Sequence, residues 1–583
     1  MRQRLYKILP LVLVLLILAY SVIRCSLGTP EEPAQTTDEQ PAIEGTFVPD
    51  PSPPQKPETS ATPAASPSPE PELTPSPEPP PHPATLFAPR SVEETDPSAA
   101  KYKFQYDIMA RGEIVSEYRR ADDIFLGIPE EYTELEGITT FRGNNFRNNP
   151  SWGTVNIKNN TLTKVWSIGI GGNAKWGLTG VGWNGQPAII RWDEETRRIM
   201  NINQEKKDKE GLVEVIYGAM DGVVRFLDID DGKPTRASIT LGAPIKGSVT
   251  IDPRGYPLMY VGEGAYNDKP LGFHIYSLID GKELMFLNGA DPFANRFWRS
   301  FDGNILVDSK NDTLIVPAEN GILYTIKLGT QYDKAAGTIS IEPEIVKYRY
   351  KTPMSPELGI ENSVTAFSHY AMFADSSGLV HCFDLNTMTP VWIRHCTDDT
   401  DSTILLDLEE DSSLSLYTAC AVDKQGSGGR SYIRKLNAET GELFWEHSYP
   451  CAYDSNVNGG ALASPILGKG DIEGGVIYFI GKVQTGQGGG VLVNLDKETG
   501  KIIWETYLPR YGWSSPVDIY TAEGKSYIIV CDASGAMFLI DGKTGTVLGQ
   551  TSLGSNVEGS PAIFDNKIVV GTRGQQIFCV EIG

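Results

Sequence analysis

The sequence lacks the residue patterns on which many enzyme and metal sites depend. Its 583 residues contain six histidines and seven cysteines, and the cysteines form neither an adjacent pair nor a C-x-x-C motif. The G-x-S-x-G motif of α/β-hydrolases and the H-E-x-x-H motif of zinc proteases are also absent. An odd number of cysteines without framework spacing predicts buried free thiols rather than disulfides.

Positive charge is scarce as well. Lysine and arginine number 51 against 74 aspartates and glutamates, which gives a formal net charge of −23. Nucleic-acid binding requires a positive face, so we expect no nucleic-acid partner. The ordinary consequence of such an acidic surface is solubility.

Two short clusters resemble metal sites only superficially. The run 228–232 begins like a calcium loop, but Lys233 occupies the position where glycine is needed, so the run reads as a turn. The dipeptides His381-Cys382 and His395-Cys396 fall on two strands of one predicted hairpin. Successive strand residues point to opposite faces, so four ligands cannot converge there. We therefore predict no metal site.

The first residues read as an export signal. Basic residues within 1–7 precede an uncharged apolar run, 8–23, which favours a cytoplasmic N-terminus and an exported remainder. Three interpretations stay open: an uncleaved single-pass anchor, a peptide cleaved near Ala19-Tyr20-Ser21, and a lipoprotein modified at Cys25. We expect the anchor, which places the rest of the chain outside the cytoplasm at the cell membrane.

Residues 24–100 are rich in proline and predict a disordered stalk. Runs such as 67–71 and 75–81 favour extended polyproline II and can form neither sheet nor helix. The stalk reads either as a spacer through a cell wall or as an unselective tether. Residues 101–136 mix aromatic and charged residues, and we expect a lead-in helix or strand that packs on the edge of the following domain.

The C-terminal part repeats one hairpin. The pattern Asp/Asn-x-x-Thr-Gly-x-x-x-Trp occurs at 437–445 and 496–504, and it recurs without the tryptophan at 541–549. The glycine supplies the positive φ that a tight hairpin requires. Copies spaced by roughly 45 to 60 residues are typical of propeller blades.

This pattern resembles the quinoprotein (PQQ) repeat, the blade of quinoprotein alcohol dehydrogenases and of the propeller lipoprotein in the outer-membrane barrel-assembly machinery. The run 141–150 also resembles the opening segment of that family. The resemblance covers residues 137–583 and implies an all-β propeller of about eight four-stranded blades, with seven as the alternative. A strand near 161–168 is expected to join the last strands of the chain and close the ring.

The family's dehydrogenases carry an adjacent cysteine pair, calcium ligands and a catalytic aspartate, and no stretch of this sequence matches that set. We therefore expect a non-catalytic protein without a cofactor. A PQQ- and calcium-dependent dehydrogenase with a divergent site is the alternative, because fold does not determine function.

The remaining candidate site is a rim of loops rich in aromatic, arginine and asparagine side chains. Such groups suit a protein, a peptide or a cell-wall glycan, although the aromatic residues could equally wedge between blades. We predict a binding or scaffold module at the cell surface, with a wall-binding glycan sensor as a further alternative. The predicted rim comprises Trp176, Trp183, Arg296, Trp298, Arg299, Tyr453, Asn456, Arg510, Tyr511 and Trp513.

Overall fold

The structure, a computed structural model, describes residues 81–173, 177–265, 270–454, 457–485 and 489–583. Within them, eight four-stranded antiparallel blades form an all-β propeller, so the number is eight and not seven. The predicted membrane segment 8–23 lies outside the described residues. In the part of the chain that the structure describes, no helix is long and apolar enough to span a bilayer.

The strands of blades 1 to 4 run from the innermost to the outermost in chain order. Blade 1 contains Ala188–Arg191, Val213–Gly218, Val223–Asp228 and Ile239–Thr240. Blade 2 contains Thr250–Ile251, Leu258–Gly262, Gly272–Ser277 and Glu283–Asn288. Blade 3 contains Leu306–Asp308, Thr313–Pro317, Ile322–Lys327 and Glu344–Lys351. Blade 4 contains Thr365–Phe367, Tyr370–Ala374, Leu379–Asp384 and Thr389–His395.

Blades 5 to 7 have the same strand order, and blade 8 receives its outermost strand from the N-terminal side. Blade 5 contains Leu405–Leu408, Leu414–Ala419, Arg430–Asn437 and Leu443–Pro450. Blade 6 contains Ile466–Leu467, Gly475–Gly481, Gly490–Asp496 and Ile502–Leu508. Blade 7 contains Val517–Tyr520, Ser526–Cys531, Ala536–Asp541 and Val547–Ser552. Blade 8 contains Ala562–Phe564, Lys567–Thr572, Gln576–Ile582 and, from the N-terminal side, Leu162–Gly169.

Short elements decorate this ring. The helices are Pro83–Leu86, Glu194–Ile199 and Gln204–Lys207, with 3-10 turns at Pro129–Glu131 and Gly470–Ile472. The additional strands are Gln105–Ala110, Glu113–Val115, Glu136–Ile138, Ser151–Trp152, Gly172–Asn173, Leu178–Thr179, Gln331–Asp333, Thr338–Ser340, Ala421–Val422 and Gly459–Gly460. None of them interrupts a blade.

The core lies between neighbouring blades. Second strands such as Gly475–Gly481 and Ser526–Cys531 are buried along their whole length. Each is covered by a blade on both sides, which is why these strands are continuously apolar rather than alternating. Their neighbours contribute the matching apolar surface, so the hydrophobic core is a series of layers around the ring.

The ring is closed by pairing the two ends of the propeller. Leu162–Gly169 is antiparallel to Gln576–Ile582, with Thr163 opposite Glu581 and Ser167 opposite Phe578. The predicted closure is therefore confirmed. This pairing leaves no unpaired sheet edge between the two ends of the blade series.

The repeated turn joins each blade to the next. Trp445 at the outer strand of blade 5 donates from Nε1 to the carbonyl of Lys497 in the turn of blade 6, at 3.0 Å. Gly500 in that turn has φ +66°, and a Cβ there would lie 2.7 Å from the Trp445 ring. The glycine is thus required both for its backbone conformation and because the tryptophan ring packs against its Cα. The same contact joins Trp166 to Gly232, Trp392 to Gly441 and Trp504 to Gly545.

The segment before the ring packs on its outside. Strand Gln105–Ala110 extends blade 3 by pairing with Glu344–Lys351. Residues 81–100, which the sequence assigns to the stalk, instead lie against blades 4 and 5. There Phe87 is buried, and the Thr95 hydroxyl donates to the Thr440 carbonyl at 2.7 Å. Apolar Phe87 and the polar groups near Thr95 anchor this stretch, whereas the proline-rich composition alone predicts no contact.

Candidate functional site

The loops of a propeller emerge on two faces. Because the strands of a blade alternate in direction, the connections between blades and the loops between second and third strands lie on the same side. We call this side the upper face and the opposite side the lower face. The described residues of the predicted rim belong to upper-face loops.

A buried segment, residues 139–150, crosses the centre of the ring, and we call it the hub segment. Arg142 donates from Nη1 to the carbonyl of Pro516 at 3.1 Å and from Nη2 to that of Pro465 at 2.5 Å. These carbonyls precede the first strands of blades 7 and 6. The hub segment therefore ties blades together through main-chain contacts.

A second arginine of the hub segment reaches the other side of the ring. Arg147 donates to the carbonyls of Val364 at 2.9 Å, Asn304 at 3.1 Å and Ile305 at 3.0 Å. Arg142 and Arg147 are 1% and 0% exposed. Burial lowers the pKa of each guanidinium to about 10, and carbonyl dipoles hold the charge. The resemblance marks this run as an opening segment, but its role as a plug becomes visible only in the structure.

Above the hub segment the channel narrows to a cavity of about 20 Å³. Phe141 of the hub segment lines it together with Trp183, Asn362 and acidic side chains of the upper face. Such a volume accommodates one group of about the size of a water molecule. The propeller thus has a closed centre with a shallow opening toward the upper face.

Three carboxylates line this opening and two more lie beside them. They come from an upper-face loop of blade 3 and from the connections that precede blades 3, 4 and 5, and we call all five the acidic mouth. The acidic mouth comprises Asp302, Glu319, Glu361, Asp399 and Asp401.

One lysine is embedded in the acidic mouth. Lys246 Nζ forms an ion pair with Asp302 and lies 3.7 Å from Glu319 Oε1. It also lies 4.1 Å from the ring centroid of Trp183, a cation–π contact. Burial alone would lower the pKa of Lys246, but the Asp302 and Glu319 carboxylates raise it. The mouth therefore holds an ammonium group between carboxylates and an indole ring.

The carboxyl groups themselves are perturbed. Burial, with the neighbouring Glu361 carboxylate, raises the pKa of Glu319 well above its usual value. Burial and Asp401 do the same to the pKa of Asp399. Burial and Glu361 raise the pKa of Asp401 to about 7. Clustered carboxyl groups with raised pKa values are typical of functional sites rather than of solvated surface.

Part of the acidic mouth lacks partners. Asp399 Oδ1 and Asp401 Oδ1 are buried and accept no hydrogen bond from any described residue. Asp399 is 9% exposed, and its nearest cation, Lys424 Nζ, lies 3.9 Å from Oδ2. Glu361, by contrast, accepts a hydrogen bond from Ser376 Oγ at 3.0 Å. Asp302 Oδ1 and Glu319 Oε1 also accept no hydrogen bond from the described residues, but these two side chains share the Lys246 cation. The unpaired acceptors on the blade 5 side have no cation nearer than the 3.9 Å that separates Lys424 from Asp399.

The predicted rim forms two patches beside the mouth. In the first, Trp183 and Trp513 meet edge to face with ring centroids 5.2 Å apart, and Tyr511 lies 6.5 Å from Trp513. Trp513 is only 8% exposed and packs with Leu462, so it combines packing with a place beside the mouth. Trp183 connects this patch to Lys246.

The second patch is centred on an arginine. Arg296 lies 5.1 Å above the ring of Trp298, and its Nη1 is 3.6 Å from Glu361 Oε1 of the acidic mouth. Beside it, Phe297 is 83% exposed and Arg299 is exposed. A large apolar side chain next to two arginines is the composition of a protein-binding surface.

Four rim residues remain. Tyr453 is 41% exposed and Arg510 is exposed on the upper face. Trp176 and Asn456 lie outside the described residues. The structure therefore brings Trp183, Tyr511 and Trp513 together in one patch and Arg296, Trp298 and Arg299 in another.

Aromatic, arginine and asparagine content does not reveal the acidic mouth. Its members are spread from residue 302 to residue 401, at most two in any loop, so no local motif marks them. The available signal is positional. Asp302, Glu361, Asp399 and Asp401 lie shortly before the innermost strand of a blade, and Glu319 lies in the loop between the second and third strands of blade 3.

The clusters that superficially resemble metal sites are structural. His381 is buried between Phe373 and Tyr350, each with a ring centroid 4.6 Å away, and burial lowers its pKa to about 3. Asp228 accepts from Lys206 and Lys209, both at 2.7 Å. Among the described residues, no three histidine, cysteine or carboxylate side chains are arranged to hold a metal ion.

The cysteine prediction is confirmed where it can be examined. The described cysteines are free and buried, and Cys25 lies outside the described residues. Burial raises the pKa of their thiols, for example to about 12 for Cys420 and to about 11 for Cys451. Inaccessible thiols with raised pKa values do not support nucleophilic chemistry.

The centre of the propeller does not fit the quinone of the family's dehydrogenases. PQQ is a planar tricarboxylic acid much larger than the cavity of about 20 Å³ between Phe141 and the mouth. We derive no catalytic step through this cofactor.

A larger groove, of about 880 Å³, opens on the lower face between blades 5 and 6, and we call it the lower groove. Lys435 Nζ lies 3.0 Å from Glu409 Oε1 and 3.2 Å from Glu498 Oε1. Lys497 Nζ lies 3.1 Å from Asp407 Oδ2 and 3.4 Å from Glu409 Oε2. Burial alone would raise the pKa of Glu409, but hydrogen bonds from Lys435 and Ser415 lower it.

The comparison with known protein families supports the repeat assigned from the sequence. Residues 429–517, which run from blade 5 to the start of blade 7, match the family model described as outer membrane protein assembly factor BamB. Within residues 429–517 the repeat is therefore of the quinoprotein type. Over 102 residues this repeat protein is 28% identical to the beta-alanine-activating enzyme of Danio rerio, a stretch that covers 17% of this chain and 9% of that protein.

Solved structures with a similar arrangement share little sequence with the repeat propeller. BamB from Moraxella catarrhalis is 15% identical, with a TM-score of 0.44 over 72% of this chain and 98% of that one. The quinohemoprotein alcohol dehydrogenase ADHIIG from Pseudomonas putida HK5 is 12% identical, with a TM-score of 0.49 over 77% and 80%.

Proposed function

We propose that this protein is a non-enzymatic binding or scaffold module of the cell envelope that holds a protein partner on its upper face. One observation carries the proposal: an aromatic patch and an arginine–aromatic patch flank a mouth of perturbed carboxylates, and each patch contacts that mouth. Trp183 does so through Lys246, and Arg296 does so through Glu361. Exposed Phe297 and Arg299 extend this surface outward.

The chemistry of the surface favours a protein over a small molecule. The cavity of about 20 Å³ is too small for a substrate, whereas Phe297 is 83% exposed beside arginines. Exposed aromatic and arginine side chains are the usual anchors of protein interfaces. The match to a family named for outer membrane protein assembly supports a partner-binding role and a location in the cell envelope.

The test is capture of partners from intact cells by the full-length chain. The variant F297S/R299S removes the exposed part of the second patch, and F444S removes an exposed phenylalanine of blade 5 as a matched control. We expect crosslinked partners of the wild type to be retained by F444S and reduced at least tenfold by F297S/R299S. Equal recovery by all three proteins would contradict the assignment of the upper face.

A glycan ligand and a quinone cofactor are tested separately. Binding of cell-wall fragments that is lost in F297S/R299S, without any protein partner, would replace the protein partner by a glycan. Tight PQQ binding with reduction of an artificial electron acceptor would replace the non-enzymatic role altogether. We expect neither.

The location of the propeller follows from the predicted export signal and stalk. We propose that residues 8–23 anchor the chain and that the propeller lies outside the cytoplasm. Protease added to intact spheroplasts should then degrade the propeller while a cytoplasmic marker survives. Protection of the propeller under these conditions would contradict an extracytoplasmic location.

A further inference from the structure

The acidic mouth already shows how it holds an ammonium group. Lys246 Nζ is placed between Asp302 and Glu319 and lies 4.1 Å from the centre of the Trp183 ring. Carboxylates and an aromatic face are the groups that stabilise a desolvated cation in proteins. The chain itself therefore supplies one cation to this opening.

A second position beside Lys246 has acceptors but no cation within hydrogen-bond distance. Asp399 Oδ1 and Asp401 Oδ1 accept no hydrogen bond from the described residues, although Asp399 is 9% exposed and burying an unpaired carboxylate is costly. Arg296 and Lys424 approach only to 3.6 Å from Glu361 and 3.9 Å from Asp399. The blade 5 side of the mouth thus lacks a donor.

The size of the opening restricts what this donor can be. The cavity of about 20 Å³ is lined by Asp401, Glu361 and Trp183 and accommodates one group of the size of an ammonium ion. A planar guanidinium is larger. The 16% exposure of the Glu361 side chain shows that the opening reaches the upper face, from which a lysine stem can enter.

We propose that the acidic mouth binds the ammonium group of a lysine side chain of the protein partner, with Asp401 and Asp399 as its acceptors beside Glu361. This inference rests on the proposed function, because the upper-face patches would hold the rest of that partner. It adds the chemical identity of the group that enters the centre.

The interaction depends on pH in a defined direction. The titratable groups that face Asp401 are Glu361, Lys246, Asp423, Lys424 and Asp399. The pKa of Asp401 is about 7 without a ligand, so the carboxyl is largely protonated at pH 6 and ionised at pH 8. A lysine ammonium stays charged across this range. The affinity for lysine should therefore rise about tenfold from pH 6 to pH 8.

The test titrates the full-length protein with Nα-acetyl-lysine amide at low salt and pH 8, followed by calorimetry. Nα-acetyl-norleucine amide is the neutral counterpart, and calcium chloride tests for a metal. D401N removes one acceptor without changing shape. E357Q is the matched control, because Glu357 lies four residues from Glu361 and 3.9 Å from Arg296 but outside the mouth.

We expect the lysine derivative to bind wild type and E357Q, D401N to bind at least tenfold more weakly, and the norleucine derivative not to bind. Equal binding of the norleucine derivative, equal binding by D401N, or a response to calcium alone would overturn the inference. If partner capture depends on Phe297 and Arg299 but lysine does not bind, the proposed function stands and this inference fails. If lysine binds while no partner is captured, the proposed function fails instead.

Discussion

The acidic mouth and the lower groove are both acidic, yet they differ in how their charges are satisfied. In the lower groove, Lys435 and Lys497 each lie within 3.4 Å of two carboxylates. In the mouth, Asp399 and Asp401 each keep an acceptor oxygen without a donor among the described residues. The smaller opening, and not the larger groove, is therefore the incomplete one.

The difference appears in the pKa shifts of Glu409 and Asp401, although burial and the neighbouring Glu409 also raise the pKa of Asp407 in the lower groove. Pairing lowers the pKa of Glu409 in the lower groove, whereas burial raises the pKa of Asp401 in the mouth. A lowered carboxyl pKa contributes to stability near neutral pH, and a raised one subtracts from it. A ranking by volume and net charge alone would place the lower groove first as a candidate binding site, although the acidic mouth is the one with unpaired acceptors.

The largest expected effect concerns the hub segment that underlies the mouth. Replacing Arg147 by alanine should lower the free energy of unfolding by about 3 to 5 kcal/mol, because the carbonyls of Val364, Asn304 and Ile305 lose their buried donor. Chemical denaturation measures the change, with R299A at an exposed position as control. A loss below about 1 kcal/mol would mean that the hub segment does not hold the blades together.

The next largest expected effect on stability distinguishes the lower groove, where the charges are paired, from the acidic mouth. Replacing Lys497 by methionine keeps the apolar stem but leaves Asp407 and Glu409 without this cation. We expect destabilisation by about 1 to 2 kcal/mol at pH 7, reduced from the value for a fully buried pair because the Lys497 side chain is 19% exposed. The Glu409 pairing contributes above the unfolded carboxyl pKa and is lost as the pH falls through the lowered one. K497M and wild type should therefore converge at acidic pH, once Glu409 is protonated in the native state.

In the acidic mouth we expect the pH dependence of stability to have the opposite sign. Asp401 has a folded pKa of about 7, above the 3.8 of an unperturbed aspartate, so the native state binds more protons than the unfolded state between these values. Wild-type stability should decrease as the pH rises from 4 to 7 through this group. D401N should be more stable than wild type at pH 8 by about 1 to 2 kcal/mol, allowing for partial solvent exposure.

The measurement for D401N is the unfolding free energy at pH 8 and at pH 4. At pH 4 the advantage should vanish, because the wild-type carboxyl is then protonated in the native state. An advantage of equal size at both pH values would show that charge burial is not its cause. Destabilisation at pH 8 would mean that the mouth is internally paired like the lower groove.

The smallest expected effect on stability is at the outer part of the second patch. Phe297 is 83% exposed, so F297S should change the free energy of unfolding by less than about 0.5 kcal/mol. Partner capture should nevertheless fall. If F297S melted several degrees lower, its loss of binding could not be assigned to the surface.

The fold was predictable from the sequence because one local motif encodes it. The turn glycine is required by its backbone conformation and by the tryptophan of the neighbouring blade, as Gly500 and Trp445 show. The same few residues therefore indicate a hairpin, a blade and the contact to the next blade. Closure follows from a leftover strand at each end, here Leu162–Gly169 and Gln576–Ile582.

The site was only partly predictable because its members are not local. Aromatic and arginine residues identify upper-face loops, and Trp183 and Arg296 do lie beside the centre. The acidic mouth depends on loops that only the closed ring brings together, so Asp302 and Asp401 carry no shared motif. Similarly, the contact of Thr95 with Thr440 is determined by docking and not by the composition of the stalk.

The closing strand has a consequence for the order of folding. Leu162–Gly169 is synthesised before the first blade, but its partner Gln576–Ile582 follows only after blades 1 to 7. Until the first strands of blades 6 and 7 have been made, Arg142 of the hub segment lacks the carbonyls of Pro465 and Pro516. Closure of the ring therefore joins strands of long sequence separation, which makes it slow and leaves two sheet edges open until the strands have paired.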